Sequence, residues 1–204
     1  MGQASACGGL QPVWLVVGLG NPGPRYEFTP HNLGFLAIDR LAVRHNIRVS
    51  RPEATSLVGL GTISGRNVLL AKPQTFMNVS GPSVKALLEK YSGTQSNFVL
   101  VYDELALPWT GLRIRPQGSA GGHNGVKSVI QSLGSDEFAR VRLGIHPDHP
   151  VRDGAEFVLA PFRKAQLDDL EELLDYTAQA VESILAEGVE KSMTRCNRRA
   201  RGLT

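Results

Sequence analysis

The chain has 204 residues, 42% of them apolar, enough to bury one substantial core and no reason to expect a second. Its formal net charge of +3 permits an anionic partner such as RNA without announcing one, so where the basic residues gather matters more than their sum. Two cysteines, Cys7 and Cys196, exclude a disulfide frame and point to a reducing compartment, the cytosol or a mitochondrion. No apolar run reaches the length of a membrane span, and the leader 1–12 holds no arginine, against a processed organellar transit peptide.

Residues 13–19 form an apolar, β-branched-rich run closed by glycine, the pattern of a strand buried on both faces at the centre of an α/β sheet. Over 32–45, Leu33, Leu36, Ala37, Leu41 and Ala42 recur at helical spacing and predict an amphipathic helix packed on that sheet. Runs 57–63 and 67–71 flank Ser64 and Gly65 as a hairpin, 80–91 is helical in pattern, and 97–102 is another buried strand. Short strands at 112–115 and 141–145 bracket a helix over 125–133, and 165–187 is the longest helix. Strands alternating with helices imply one α/β domain over 13–190, three layers deep (α/β/α), with a twisted mixed, largely parallel sheet. The stretch 191–204 reads as a basic C-terminal tail carrying Lys191, Arg195, Arg198, Arg199 and Arg201, either a nucleic-acid surface or a solvated end.

After the first strand, Gly18, Gly20 and Gly23 fit the G-x-G-x-x-G dinucleotide fingerprint letter for letter. That motif works only if a helix opens inside it and offers its N-terminus to a pyrophosphate. Pro22, Pro24 and Pro30 leave no helical period before residue 31, and the nearest acidic candidate, Asp39, lies inside the amphipathic helix rather than at a strand end. The glycines are better explained by a tight loop that holds Asn21 at the sheet edge.

The polar residues worth counting fall at strand ends and helix starts, where an open α/β sheet gathers ligands. They are Asn21, His31, Asn32, Met77 with Asn78, Asp103, and His123 with Asn124. A histidine able to act as base, a carboxylate able to orient it, and amides without a serine or cysteine nucleophile suggest a water activated directly. Amides can donate to a carbonyl as it becomes an oxyanion without adding a charge that would hold the product acid. Taken singly, Asn78 and Asn124 read more simply as helix caps, His31 as a turn residue and Met77 as core filler. His45, His146 and His149 read as solvated surface residues, and prolines spoil the 146–149 run as a zinc site, so no metal and no cofactor is expected. Residue pattern alone therefore reaches a hydrolase-like pocket on an α/β sheet.

At these same residues the sequence resembles the bacterial-type peptidyl-tRNA hydrolase family, over about 15–162 and more loosely through the last helix. Three stretches carry the likeness: 17–23 with Tyr26 and 29–34, then 72–81, then 103–105 with 121–127. The resemblance implies that His31 is the catalytic base, that Asp103 raises its basicity and fixes its tautomer, and that Asn21, Asn78 and Asn124 position the peptide ester. It implies further that Tyr26 and Met77 line the cleft near the substrate's terminal adenosine, that His123 is a substrate-binding residue, and that Arg115 and Arg142 grip a phosphate of the tRNA acceptor end. The implied partner is peptidyl-tRNA, bound through its acceptor stem and 3′ CCA end by a monomer free of any membrane. Two departures stand out: 116–120 lacks the glycine-rich, histidine-bearing loop common in the family, and position 115 is arginine where lysine is common. The rivals are an RNA-binding scaffold that has given up hydrolysis, which loss of His31 or Asp103 would favour, and a general carboxylesterase indifferent to salt.

Overall fold

In the computed structural model, which describes residues 12–91 and 94–197, the glycine-ended run becomes β1 (Trp14–Gly18), the middle strand of seven. The amphipathic stretch becomes α1 (Leu33–Arg44), followed by β2 (Arg51–Glu53), β3 (Ser56–Ile63), β4 (Arg66–Pro73) and α2 (Ser80–Tyr91). The second half supplies β5 (Phe98–Pro108), β6 (Leu112–Arg115), α3 (Asn124–Leu133), β7 (Ala139–His146), α4 (Gly154–Leu159), α5 (Leu167–Glu187) and α6 (Val189–Cys196). Across the sheet the order is β2-β3-β4-β1-β5-β7-β6, with β4, β1, β5 and β7 parallel and antiparallel pairings at either flank.

The unbroken apolar character of β1 has a simple cause: Val16 faces a core built with α1 and α5, while Leu15 and Val17 face a second core built with α2 and α3. With both faces covered, no polar alternation is tolerated. Between β3 and β4 the chain reverses in two residues, Ser64 and Gly65, both at positive φ, the mirror-image turn whose twist matches a hairpin.

Gly18 and Gly34 are demanded by packing. A Cβ on Gly18 would lie 2.0 Å from the Gly34 carbonyl oxygen, and one on Gly34 2.3 Å from the Leu19 nitrogen. The first turn of α1 thus rests backbone to backbone on the end of β1, and this contact, with no pyrophosphate involved, accounts for part of the fingerprint-like spelling.

Four features depart from the sequence expectation. The strand expected to stop at 102 continues to Pro108, because β7 pairs with it as far as His146, with a register shift after Glu104, and the charge of buried Asp103 within it is met by two histidines. Strand β2, which includes Pro52, and the short helix α4 were not anticipated; proline is admissible on β2 because that strand lies at the sheet edge. The boundary drawn after 190 falls inside α6, whose Ser192 and Cys196 are buried, and Asn197 then pairs its side-chain amide with the backbone of Ile114 on edge strand β6 (2.6 Å to the Ile114 nitrogen). His45 and His146 are half-buried rather than solvated, and His45 Nε2 meets Glu182 at 2.8 Å. Of the expected basic tail, Arg198, Arg199 and Arg201 lie outside the described residues, as does the leader apart from Pro12.

Candidate active site

The chain leaves β1 toward β4 on one side and later returns to β5 on the other, so the order of strands reverses at β1. Crevices at the carboxyl ends of parallel strands open at such switch points. Here a cavity of about 690 Å³ is lined by Asn21 beyond β1, His31 before α1, Met77 and Asn78 beyond β4, Asp103 on β5, and His123 and Asn124 at the start of α3. The loops singled out in the sequence converge on it, with Tyr26 at its wall.

At its floor Asp103 is 2% exposed. His31 Nδ1 lies 3.1 and 3.0 Å from its two oxygens, and His123 Nε2 lies 3.0 Å from Oδ1. Burial alone would push the Asp103 carboxyl up, but the two histidines, His123 foremost, outweigh it and hold the group well below the ordinary carboxylate range. With Nδ1 donating to a carboxylate, His31 keeps its Nε2 lone pair for the cavity, the orientation a general base needs. His31 is set there by a 3-10 turn, Pro30–Asn32, whose flanking residues Pro30 and Asn32 are buried.

The amides divide their work. Asn21 is 7% exposed; its Oδ1 accepts the Met77 N–H at 2.8 Å, so its Nδ2 is the donor left for a ligand. Asn32, counted in the sequence among the polar residues but given no role, joins it: Asn32 Oδ1 accepts from the Asn21 N–H at 2.8 Å and Asn32 Nδ2 donates to the Asn21 carbonyl at 3.0 Å. This two-bond clasp fixes the loop after β1 to the turn that carries His31. Asn78 and Asn124 are exposed at the cavity wall, and neither is the cap of its helix: His123 caps α3. Met77 does both jobs the sequence left open, being 4% exposed in the core and part of the cavity lining.

Arg115 and Arg142 are not among the cavity-lining residues. Arg142 donates through Nε and Nη2 to Glu104 Oε2 at 2.9 and 2.6 Å, and Glu104 does line the cavity. Arg113 pairs with Arg142 and Arg115 with Arg140 across β6 and β7, so the four side chains share one face of the sheet edge. The cavity's apolar wall was missed in the sequence: Phe76, Leu105 and, from α4, Val158 and Leu159. A signal existed in Asp153, which caps α4 by accepting from Ala155 and Glu156 N–H groups just ahead of Phe157 and Val158.

Among the described residues, His31, Asp103 and His123 bring metal-ligand atoms within 4.8 Å of one another. The hydrogen bonds disfavour a cation there. His123 Nδ1 already accepts from the Gly125 and Val126 N–H groups, so the ring proton sits on Nε2, and a metal at Nε2 would require imidazolate. A histidine held by a buried carboxylate, its Nε2 without a protein partner among the described residues, and amide donors around a cavity lined by no serine or cysteine form an arrangement able to activate water for hydrolysis.

The comparisons with known proteins narrow that class. The family model for peptidyl-tRNA hydrolase matches residues 15–202. The protein of that name from Solibacter usitatus is 58% identical, with 94% of this chain and 97% of the relative aligned, and that from Koribacter versatilis is 49% identical over 91% and 92%. Peptidyl-tRNA hydrolase from Acinetobacter baumannii, solved by crystallography, superposes with a TM-score of 0.84 at 29% identity, covering 94% of this chain and 98% of that one. The chain belongs to the peptidyl-tRNA hydrolase family.

Proposed function

We propose that the protein cleaves the ester between a peptide and the 3′ ribose of its tRNA, with His31 as general base. The observation that carries this reading is the His31–Asp103 pair at 3.0 Å, which leaves Nε2 facing a cavity ringed by amides. His31 Nε2 takes a proton from water as the oxygen attacks the ester carbonyl, and Asp103 stabilises the imidazolium that forms. Asn21 Nδ2, with Asn78 and Asn124, donates to the developing oxyanion. Collapse breaks the bond to the ribose 3′ oxygen, which receives the proton back from His31, releasing tRNA and a peptide acid.

Tyr26 and Met77 on one wall suit the terminal adenosine. The apolar wall of Leu105, Val158 and Leu159 suits the peptide. Arg115 and Arg142 hold a backbone phosphate at a distance from the ester, so that the enzyme demands a tRNA rather than any ester. Arg142 does so as half of an ion pair, which leaves Arg115 the stronger free charge. The bacterial relatives favour a cytoplasmic over a mitochondrial setting, and no described helix is long and apolar enough to cross a membrane. Release of an N-blocked amino acid from tRNA by the pure protein, undiminished by a chelator, is the expected result; no release, or release abolished by chelation, sinks the reading.

A further inference from the structure

His123 makes more contacts than a substrate ligand needs. Its Nδ1 accepts from the Gly125 and Val126 N–H groups at 3.1 and 3.2 Å, its Nε2 meets Asp103 Oδ1 at 3.0 Å, and its ring lies against both Tyr102 and His31, with centroids 5.1 and 4.9 Å away. The side chain is 9% exposed. Gly125 is what allows this: a Cβ there would lie 2.4 Å from Met77 Sδ and 3.1 Å from His123 Cε1.

A nitrogen that receives two backbone N–H groups cannot also bear a proton, so the first turn of α3 dictates the tautomer of His123. The proton is on Nε2, and Nε2 can only donate. Asp103 must then be the acceptor toward His123, which it can be only as a carboxylate on that oxygen, and it remains an acceptor toward His31 Nδ1–H as well. We propose that His123 is a positioning residue which, locked as the Nε2–H tautomer by the amides of α3, fixes the plane and charge of Asp103 and through it the tautomer of His31. This rests on the reading of His31 as base. One further consequence follows from geometry: Asn124 is the first residue of α3 and lines the cavity, so the same cap that sets the catalytic carboxylate also sets a substrate amide. The two halves of the site are registered to one another through a single imidazole.

The two nitrogens can be replaced separately, because an asparagine amide reaches where Nδ1 sits and a glutamine amide where Nε2 sits. His123→Asn keeps an N-cap acceptor and loses the donor to Asp103. Its melting temperature is expected to stay at the wild-type value while kcat falls about tenfold or more, KM holds, and the acid limb of the pH profile moves to higher pH, since a carboxylate stripped of one donor presents more charge to His31. His123→Gln keeps the donor and loses the cap: its pH profile returns toward wild type and its melting temperature drops. Nitrogen-detected NMR of the unliganded wild type should show the neutral His123 ring with its proton on Nε2. An Asn variant with wild-type kcat and pH profile, a defect confined to KM, or a ring proton found on Nδ1 overturns the proposal. The NMR result does not depend on catalysis, so a failure of the base reading, seen as an active His31→Ala, is distinguishable from a failure of this one.

Discussion

The floor of the cavity and the β6–β7 edge are both rich in charge, and they handle it in opposite ways. At the floor a single carboxylate is buried and each of its oxygens is committed to a histidine N–H. At the edge Arg140 is 1% exposed and donates to the Ser119 and Asp136 carbonyls, Arg142 is paired with Glu104, and Arg113 and Arg115 stand on the outermost strand. Fixing charges in a closed, desolvated network makes each strong and directional, as bond making requires. Only Arg113 and Arg115, half-buried on the outermost strand, are left to act weakly singly and additively along a polyanion, as the binding role proposed for Arg115 requires. Distance enforces the split, because a cation outside the cavity can supply register and affinity but cannot touch charge developing at a carbonyl within it.

The comparison is tested most severely by His31→Ala. Turnover should fall by about two to four orders of magnitude while melting temperature and tRNA affinity hold. Activity above about a tenth of wild type would remove His31 from the base's role.

Asp103→Asn should cost less turnover than losing His31 and should change the pH–rate profile, because it keeps a hydrogen-bonding side chain but removes the charge facing the imidazolium. It also makes a prediction about stability. Because the folded Asp103 carboxyl binds its proton less readily than the unfolded one, its contribution is complete above about pH 4 and is lost as pH falls through the lower folded range. Acid titration of unfolding free energy should therefore fall less steeply below about pH 4 in the variant than in the wild type. Parallel curves would mean the two histidines do not hold the carboxylate as the geometry implies.

At the edge the expected effects are smaller. Arg142→Ala should raise KM for peptidyl-tRNA and also destabilise the fold by about 1–3 kcal/mol, since Glu104 is left buried without its partner. Arg115→Ala should raise KM with no comparable loss of stability, leave hydrolysis of a minimal peptidyl-adenosine ester nearly unchanged, and reduce the slope of log affinity against log salt by about one. If Arg115→Ala were equally damaging on the minimal ester and the full tRNA, the division between the two regions would fail.

The sequence by itself determined the alternation of strands and helices, because apolar periodicity records which faces are buried, and it marked Asn21, His31, Asp103 and Asn124 together, because several polar residues at strand ends and helix starts of one open sheet fall at the edge where ligands gather. It also told against a nucleotide loop at Gly18 to Gly23, from the prolines and from the lack of an acidic residue at a following strand end. Only the tertiary structure decided that the spacing of those glycines comes partly from Gly18 packing on Gly34, that β5 runs past its charged residues, and that 189–196 is a packed helix instead of a tail, since each depends on a partner distant in the chain. The same holds for His123. Beside Asn124 in sequence it is one more polar residue at a helix start, and nothing local reveals that its two nitrogens face a backbone turn on one side and the Asp103 carboxylate, twenty residues away, on the other.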